Sequence, residues 1–139
     1  MSSTLHLPGY RIEELVYAGT ETLVYRGIRA CGESEQPVIV KVLRDACSNL
    51  SQQVQFRNQH TIACQLDSLH VVKPLALERY EKGYALVIPD QGAIALSQHW
   101  ASRDFSAEHS FLQSFFSIAV QLAEALHDLG KQRVIHKDI

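Results

Sequence analysis

Val38-Ile39-Val40-Lys41-Val42-Leu43 is the stretch from which the fold can be read. It is dominated by β-branched residues, which fit a pleated, partly buried surface, so it reads as a strand. Upstream, Cys31-Gly32-Glu33-Ser34-Glu35-Gln36-Pro37 has the composition of a turn. Before that, Tyr10–Tyr17 and Thr22–Ile28 flank the short polar run Ala18-Gly19-Thr20-Glu21, the layout of a β-hairpin. Downstream, Leu50 to Asp67 contains no Gly or Pro, and Val54, Ile62 and Leu66 recur at helical spacing. Ser48 or Asn49 is suited to cap that helix. Two further strands are expected near Val72–Arg79 and Tyr84–Ile88, joined by Tyr80-Glu81-Lys82-Gly83, and a short helix near Leu96–Ser102. The strongest periodicity lies in Glu108–Leu129. There Phe111, Phe115, Ile118, Ala119, Leu122, Leu126 and Leu129 form one stripe, Phe116, Val120 and Ala123 widen it, and Gly130 reads as the stop. The wide stripe implies burial on more than one side.

That order gives an α+β fold: an antiparallel sheet with one helix packed on it, then the start of a helical subdomain. The 139 residues are 46% apolar, a composition that suits a globular chain. The net charge of −2 and the absence of a dense Lys/Arg run argue against nucleic acid as a partner. No apolar run approaches the roughly 18 residues of a membrane span, and the first residues lack the basic-then-apolar layout of a secretory signal. Cys31, Cys47 and Cys64 form an odd set without CxxC spacing, which reads as reduced thiols and a cytoplasmic location. The histidines His6, His60, His70, His99 and His109 show no metal-ligand spacing, so no metal site is expected from them.

Several segments, in order, resemble the protein kinase family across residues 10–139. Val38-Ile39-Val40-Lys41 resembles the family's Val-Ala-Ile-Lys strand, whose lysine neutralises the α- and β-phosphates of ATP. Tyr84-Ala85-Leu86-Val87-Ile88-Pro89-Asp90-Gln91-Gly92 resembles the fifth strand running into the hinge. By that match Ile88 is the gatekeeper, and backbone groups near Asp90 and Gln91 meet adenine. Leu126-His127-Asp128-Leu129-Gly130, followed by Val134-Ile135-His136-Lys137-Asp138-Ile139, resembles the run into the His-Arg-Asp catalytic loop, with Lys137 in the arginine place. The resemblance makes Asp138 the catalytic residue that accepts the proton of a substrate hydroxyl. Leu7-Pro8-Gly9-Tyr10-Arg11-Ile12 and Gln55-Phe56-Arg57-Asn58-Gln59 are similar to bacterial Ser/Thr-kinase-like domains that open large hybrid signalling proteins.

The same resemblance implies the layout: residues 1–9 as an extension, 10–91 as a kinase-like N-terminal lobe, and 92–139 as the first helices of an incomplete C-terminal lobe. Its cofactor would be ATP, with Mg²⁺ where the missing half is supplied, because the family's magnesium ligands fall after residue 139. The fragment alone is expected to be inactive in phosphoryl transfer.

Departures from the family pattern bear on the nucleotide site. Aligned on Val24-Tyr25, the glycine-rich loop has Tyr17, Gly19 and Thr22 where three glycines are expected. Glycine permits close approach of backbone N–H groups to phosphate, so this cover is expected to fit less closely. Ile39 stands where alanine lines the adenine pocket, and Gln59 stands where a helix glutamate pairs with the lysine. A neutral amide gives a hydrogen bond of about half the strength of a charge-assisted one. The nucleotide-facing set that the resemblance implies is Gly19, Val24, Ile39, Lys41, Gln59, Ile88, Asp90 and Gln91.

Two functions follow from the resemblance. One is a Ser/Thr protein kinase lobe that retains ATP binding. The alternative is a non-catalytic, pseudokinase-like module that docks a signalling partner or nucleotide to regulate a larger signalling protein, where a kinase would take a protein substrate. Self-association through the apolar face of Glu108–Leu129 is a further expectation.

Overall fold

The computed structural model describes residues 5–44, 50–102 and 108–135; the side chains of 108–110 are outside that description. The element order is β1 (Tyr10–Ala18), β2 (Thr22–Cys31), β3 (Ser34–Leu43), α1 (Leu50–Gln65), β4 (Ala76–Tyr80), β5 (Gly83–Pro89), α2 (Leu96–Ala101) and α3 (Glu108–Lys131). The strands form one five-stranded sheet in the order β1-β2-β3-β5-β4, with every neighbouring pair antiparallel. This is the α+β arrangement expected from the sequence. The chain divides into two compact units, Met1–Gln65 with Val72–Gln91, and Leu66–Val71 with Gly92–Ile139.

In the first unit, strand alternation sorts the side chains of β3 onto two faces. Val38, Val40 and Val42 form the inner face together with Ala85 and Val87, all essentially inaccessible to solvent. Tyr10 on β1 and Glu78 on β4 lie on opposite edges of the sheet, yet the Tyr10 hydroxyl donates to Glu78 Oε1 at 2.9 Å. The sheet is therefore curled enough for side chains of its two edge strands to meet, and the valine face lies inside the curl. Leu7 is also inside, only 3% exposed. The opposite face carries Ile39, Lys41 and Leu43, and it is here that Phe56 of α1 packs with Leu43, Leu77, Tyr84 and Leu86.

Two glycines are dictated by geometry. A Cβ on Gly27 would stand 2.6 Å from the Arg11 carbonyl oxygen, because β1 bulges against β2 at this level. Gly32 takes φ +63° in the turn between β2 and β3.

Several boundaries differ from the sequence reading. Cys31 pairs with Ser34, so the second turn is only Gly32-Glu33, and Ser34–Pro37 belong to β3. Their polar composition reflects an exposed end of a strand rather than a loop. β4 begins at Ala76, with Val72 exposed outside it. Helix α1 ends at Gln65; Val54 and Ile62 are exposed, and its one buried residue is Phe56. At 100° per residue Val54 and Ile62 lie about 160° and 120° around the helix from Phe56, so the stripe they share faces away from the buried side. The proposed caps Ser48 and Asn49 lie outside the described residues.

In the second unit, Leu66–Val71 is bound to the end of α3. Gln132 accepts from the Asp67 N–H (2.8 Å) and donates to its carbonyl (3.0 Å), and the Ser68 hydroxyl donates to Asp128 at 2.6 Å. Leu66 and Leu129 are buried. Trp100 of α2 meets Phe111 of α3 with ring centroids 5.4 Å apart. Helix α3 does not stop at Gly130; it runs to Lys131, and the left-handed residue is Arg133, at φ 59°. Val134 N–H donates to the Leu129 carbonyl and Arg133 N–H to that of Gly130, the two bonds of a Schellman ending. Three residues separate Gly130 from Val134, so the turn falls to an arginine where a glycine would be unstrained. The broad stripe of α3 is not buried on several sides: Phe115, Phe116, Val120 and Leu122 are each about half exposed or more. No helix among the described residues is long and apolar enough to cross a membrane.

Candidate functional site

Register across the sheet brings four of the expected residues together. Lys41 pairs with Val24 on one side and Leu86 on the other, while Ile39 pairs with Arg26 and Ile88. Directly opposed side chains share a face, about 5 Å apart at Cβ. Val24, Ile39, Lys41 and Ile88 thus form one half-buried patch on the α1-facing side of the sheet. It is an apolar strip with a single ammonium group at its end.

The ammonium has an unusual neighbour. Lys41 Nζ stands 6.0 Å from the centre of the Phe56 ring, at the outer limit of a cation–π contact. Helix α1 contains no Asp or Glu at all. Gln59, expected as the lysine's partner, is exposed and makes no hydrogen bond to Lys41 among the described residues. Phe56 was not singled out as a site residue by the sequence. Its only signal is to be the single aromatic on a helix without an apolar stripe.

The β1–β2 loop is closed upon itself. Gly19 N–H donates to the Thr22 carbonyl at 2.8 Å, so that donor is spent within the hairpin. The Gly19 carbonyl accepts from Arg44 Nη1 at 2.8 Å. A Cβ at Gly19 would lie 2.7 Å from the Tyr17 ring, which therefore covers the loop from one side.

At the end of β5, Asp90 N–H donates to the Pro37 carbonyl at 3.1 Å. Gln91 follows, exposed and without a hydrogen bond among the described residues. The Asp90 carboxylate is 7% exposed and accepts from Arg26 Nε at 2.6 Å. Arg26 also donates to Glu14 at 3.0 Å. The hydrogen bond and charge of Asp90, and then those of Glu14, hold the Arg26 guanidinium above its ordinary pKa. Sequence reading missed this pair because its members are 64 positions apart; only the strand order β2-β3-β5 brings them near each other. His136, Lys137 and Asp138 lie outside the described residues.

A cavity of about 490 Å³, lined by Leu23, Tyr25 and Val42 among others, opens on the inner side of the curl and is separate from this patch.

The family model for protein tyrosine and serine/threonine kinases matches residues 10–139. The chain belongs to that family. No curated protein sequence matches it.

Proposed function

We propose that this stretch is the ATP-binding lobe of a Ser/Thr protein kinase. The observation that carries the reading is the patch formed by Val24, Ile39, Lys41 and Ile88 on one face of the curled sheet. An apolar strip suits a purine ring, and an ammonium that no carboxylate pairs with among the described residues suits phosphate oxygens. In this reading Val24 and Ile39 cover the ring, Ile88 closes its inner edge, and Gln91 offers backbone groups to the adenine edge. Lys41 binds the phosphates and Asp138 accepts the proton of the acceptor hydroxyl. Mg²⁺ bound with ATP would supply the remaining charge neutralisation.

The test is the melting temperature of the chain with and without Mg·ATP. A ligand that binds only the folded form at 100 times its Kd stabilises by about 2.7 kcal/mol. A rise that Lys41→Ala abolishes is expected. An unchanged melting temperature at millimolar nucleotide would refute the reading.

A second reading, a non-catalytic docking module of a signalling protein, has specific support in the closed Gly19 hairpin and in the acid-free helix α1. Both weaken the hold on phosphate relative to the family pattern. An absent nucleotide shift would leave this second reading. The exposed apolar residues of α3 support self-association, which sedimentation across a concentration series would reveal.

A further inference from the structure

Arg26 lies two residues beyond Val24 on β2, on the same face as Lys41 and opposite Ile39. Its guanidinium engages two carboxylates from two different elements. Nε donates to Asp90, just after β5, at 2.6 Å, and Nη1 donates to Glu14 of β1 at 3.0 Å. β3 separates β2 from β5 in the sheet, so the side chains of Arg26 and Asp90 together bridge two inter-strand spacings, roughly 9–10 Å. The two contacts are unequal: Asp90 is 7% exposed at its side chain and Glu14 is 60% exposed. A shielded pair of this kind resists screening by salt, whereas the Glu14 contact does not. Asp90 is further fixed through its backbone N–H on Pro37. The next residue, Gln91, has its backbone groups unengaged among the described residues.

We propose that Arg26 is a positioning residue for the nucleotide. By holding Asp90 it fixes the segment whose Gln91 backbone reads the adenine edge, and by holding Glu14 it ties that segment to the β1–β2 hairpin. This rests on the ATP-binding reading above. The clasp acts on the base, while Lys41 acts on the phosphates, and that difference makes it testable.

Adenosine and ATP affinities are to be measured by calorimetry for the wild-type chain and for Arg26→Gln, Asp90→Asn, their double variant, Arg26→Lys and Lys41→Ala. Amide hydrogen exchange at Gln91 is to be followed without nucleotide. If loosening the clasp leaves the segment competent about a tenth of the time, apparent affinity falls about tenfold. Arg26→Gln and the isosteric Asp90→Asn should each weaken adenosine and ATP by that same factor. The double variant should be no worse than the weaker single one. Gln91 exchange should quicken in both. Arg26→Lys, able to reach one carboxylate but not to bridge two, should fall between. Lys41→Ala should weaken ATP and spare adenosine. Wild-type binding with Arg26→Gln and Asp90→Asn unaltered in adenosine affinity overturns this inference alone. A wild-type chain that binds neither ligand overturns the ATP-binding reading and this inference with it.

Discussion

Replacing Phe56 by alanine removes the one buried side chain of α1, which is 3% exposed and packs against Leu43, Leu77, Tyr84 and Leu86. Phe→Ala in a core costs about 3–5 kcal/mol, from lost burial together with the cavity left behind. The lower end applies here, because α1 has no other buried residue, among those described, to keep the gap closed. The contact with Lys41, at 6.0 Å, adds at most about 0.5 kcal/mol. The expected loss is therefore about 3 kcal/mol. Its form is as diagnostic as its size. An isolated helix of about 15 residues is marginal in water, and α1 has no second buried anchor among the described residues. Phe56→Ala should therefore detach α1 before the sheet unfolds. Urea titration followed by circular dichroism should show an early loss of helical signal. Hydrogen exchange should quicken in Leu50–Gln65 while the amides of Val40 and Val87 stay protected. Phe56→Leu should retain most of the stability, costing about 1.5 kcal/mol or less. A loss under 1 kcal/mol, or α1 amides that exchange as in the wild type, would refute the single-anchor argument.

Three other outcomes are expected. Leu7→Ala empties a position inside the curled sheet and should cost about 2–5 kcal/mol in chemical denaturation; a neutral result would mean that the segment before β1 is not part of the core. Arg133→Gly should stabilise the chain by about 0.5–1 kcal/mol, since a non-glycine residue pays a steric cost at φ 59°, and a lower melting temperature would contradict this. The Tyr10 hydroxyl is raised to about 12, chiefly by burial and then by its hydrogen bond to the Glu78 carboxylate. The folded state therefore holds this proton more tightly than the unfolded chain, whose tyrosine titrates near 10. That contribution is complete below pH 10 and lost as pH rises to about 12, so the stability advantage of wild type over Tyr10→Phe should shrink across this window. A difference independent of pH would contradict the assignment.

The fold was legible wherever the code is local. β-branched runs marked Val38–Leu43 and the hairpin before it, and the helical spacing of Phe111, Phe115, Ile118 and Leu122 marked α3. Polar composition misled at Ser34–Pro37, because an exposed strand end and a loop use the same residues. Spacing misled at Val54 and Ile62, because α1 is held by one aromatic side chain rather than by a stripe. Gly130 looked like a helix stop, yet the hydrogen bonds of Val134 and Arg133 carry the left-handed turn three residues further. The grouping of the candidate site was legible in part. The family pattern named Val24, Ile39, Lys41 and Ile88, and the register sets them side by side. The Arg26–Asp90 pair and the burial of Leu7 depend on how the sheet curls and orders its strands, which no local pattern encodes.

The most direct measurement of the central claim is methyl NMR of the chain titrated with Mg·ATP. The β3 strand offers an internal comparison, since Ile39 lies on the proposed nucleotide face and Val38, Val40 and Val42 lie on the inner one. The methyl signals of Val24, Ile39 and Ile88 should move in a saturable way, with those of Val38, Val40 and Val42 nearly still. Saturable shifts confined to the inner valines, or no shift at any of these methyls, would contradict the account.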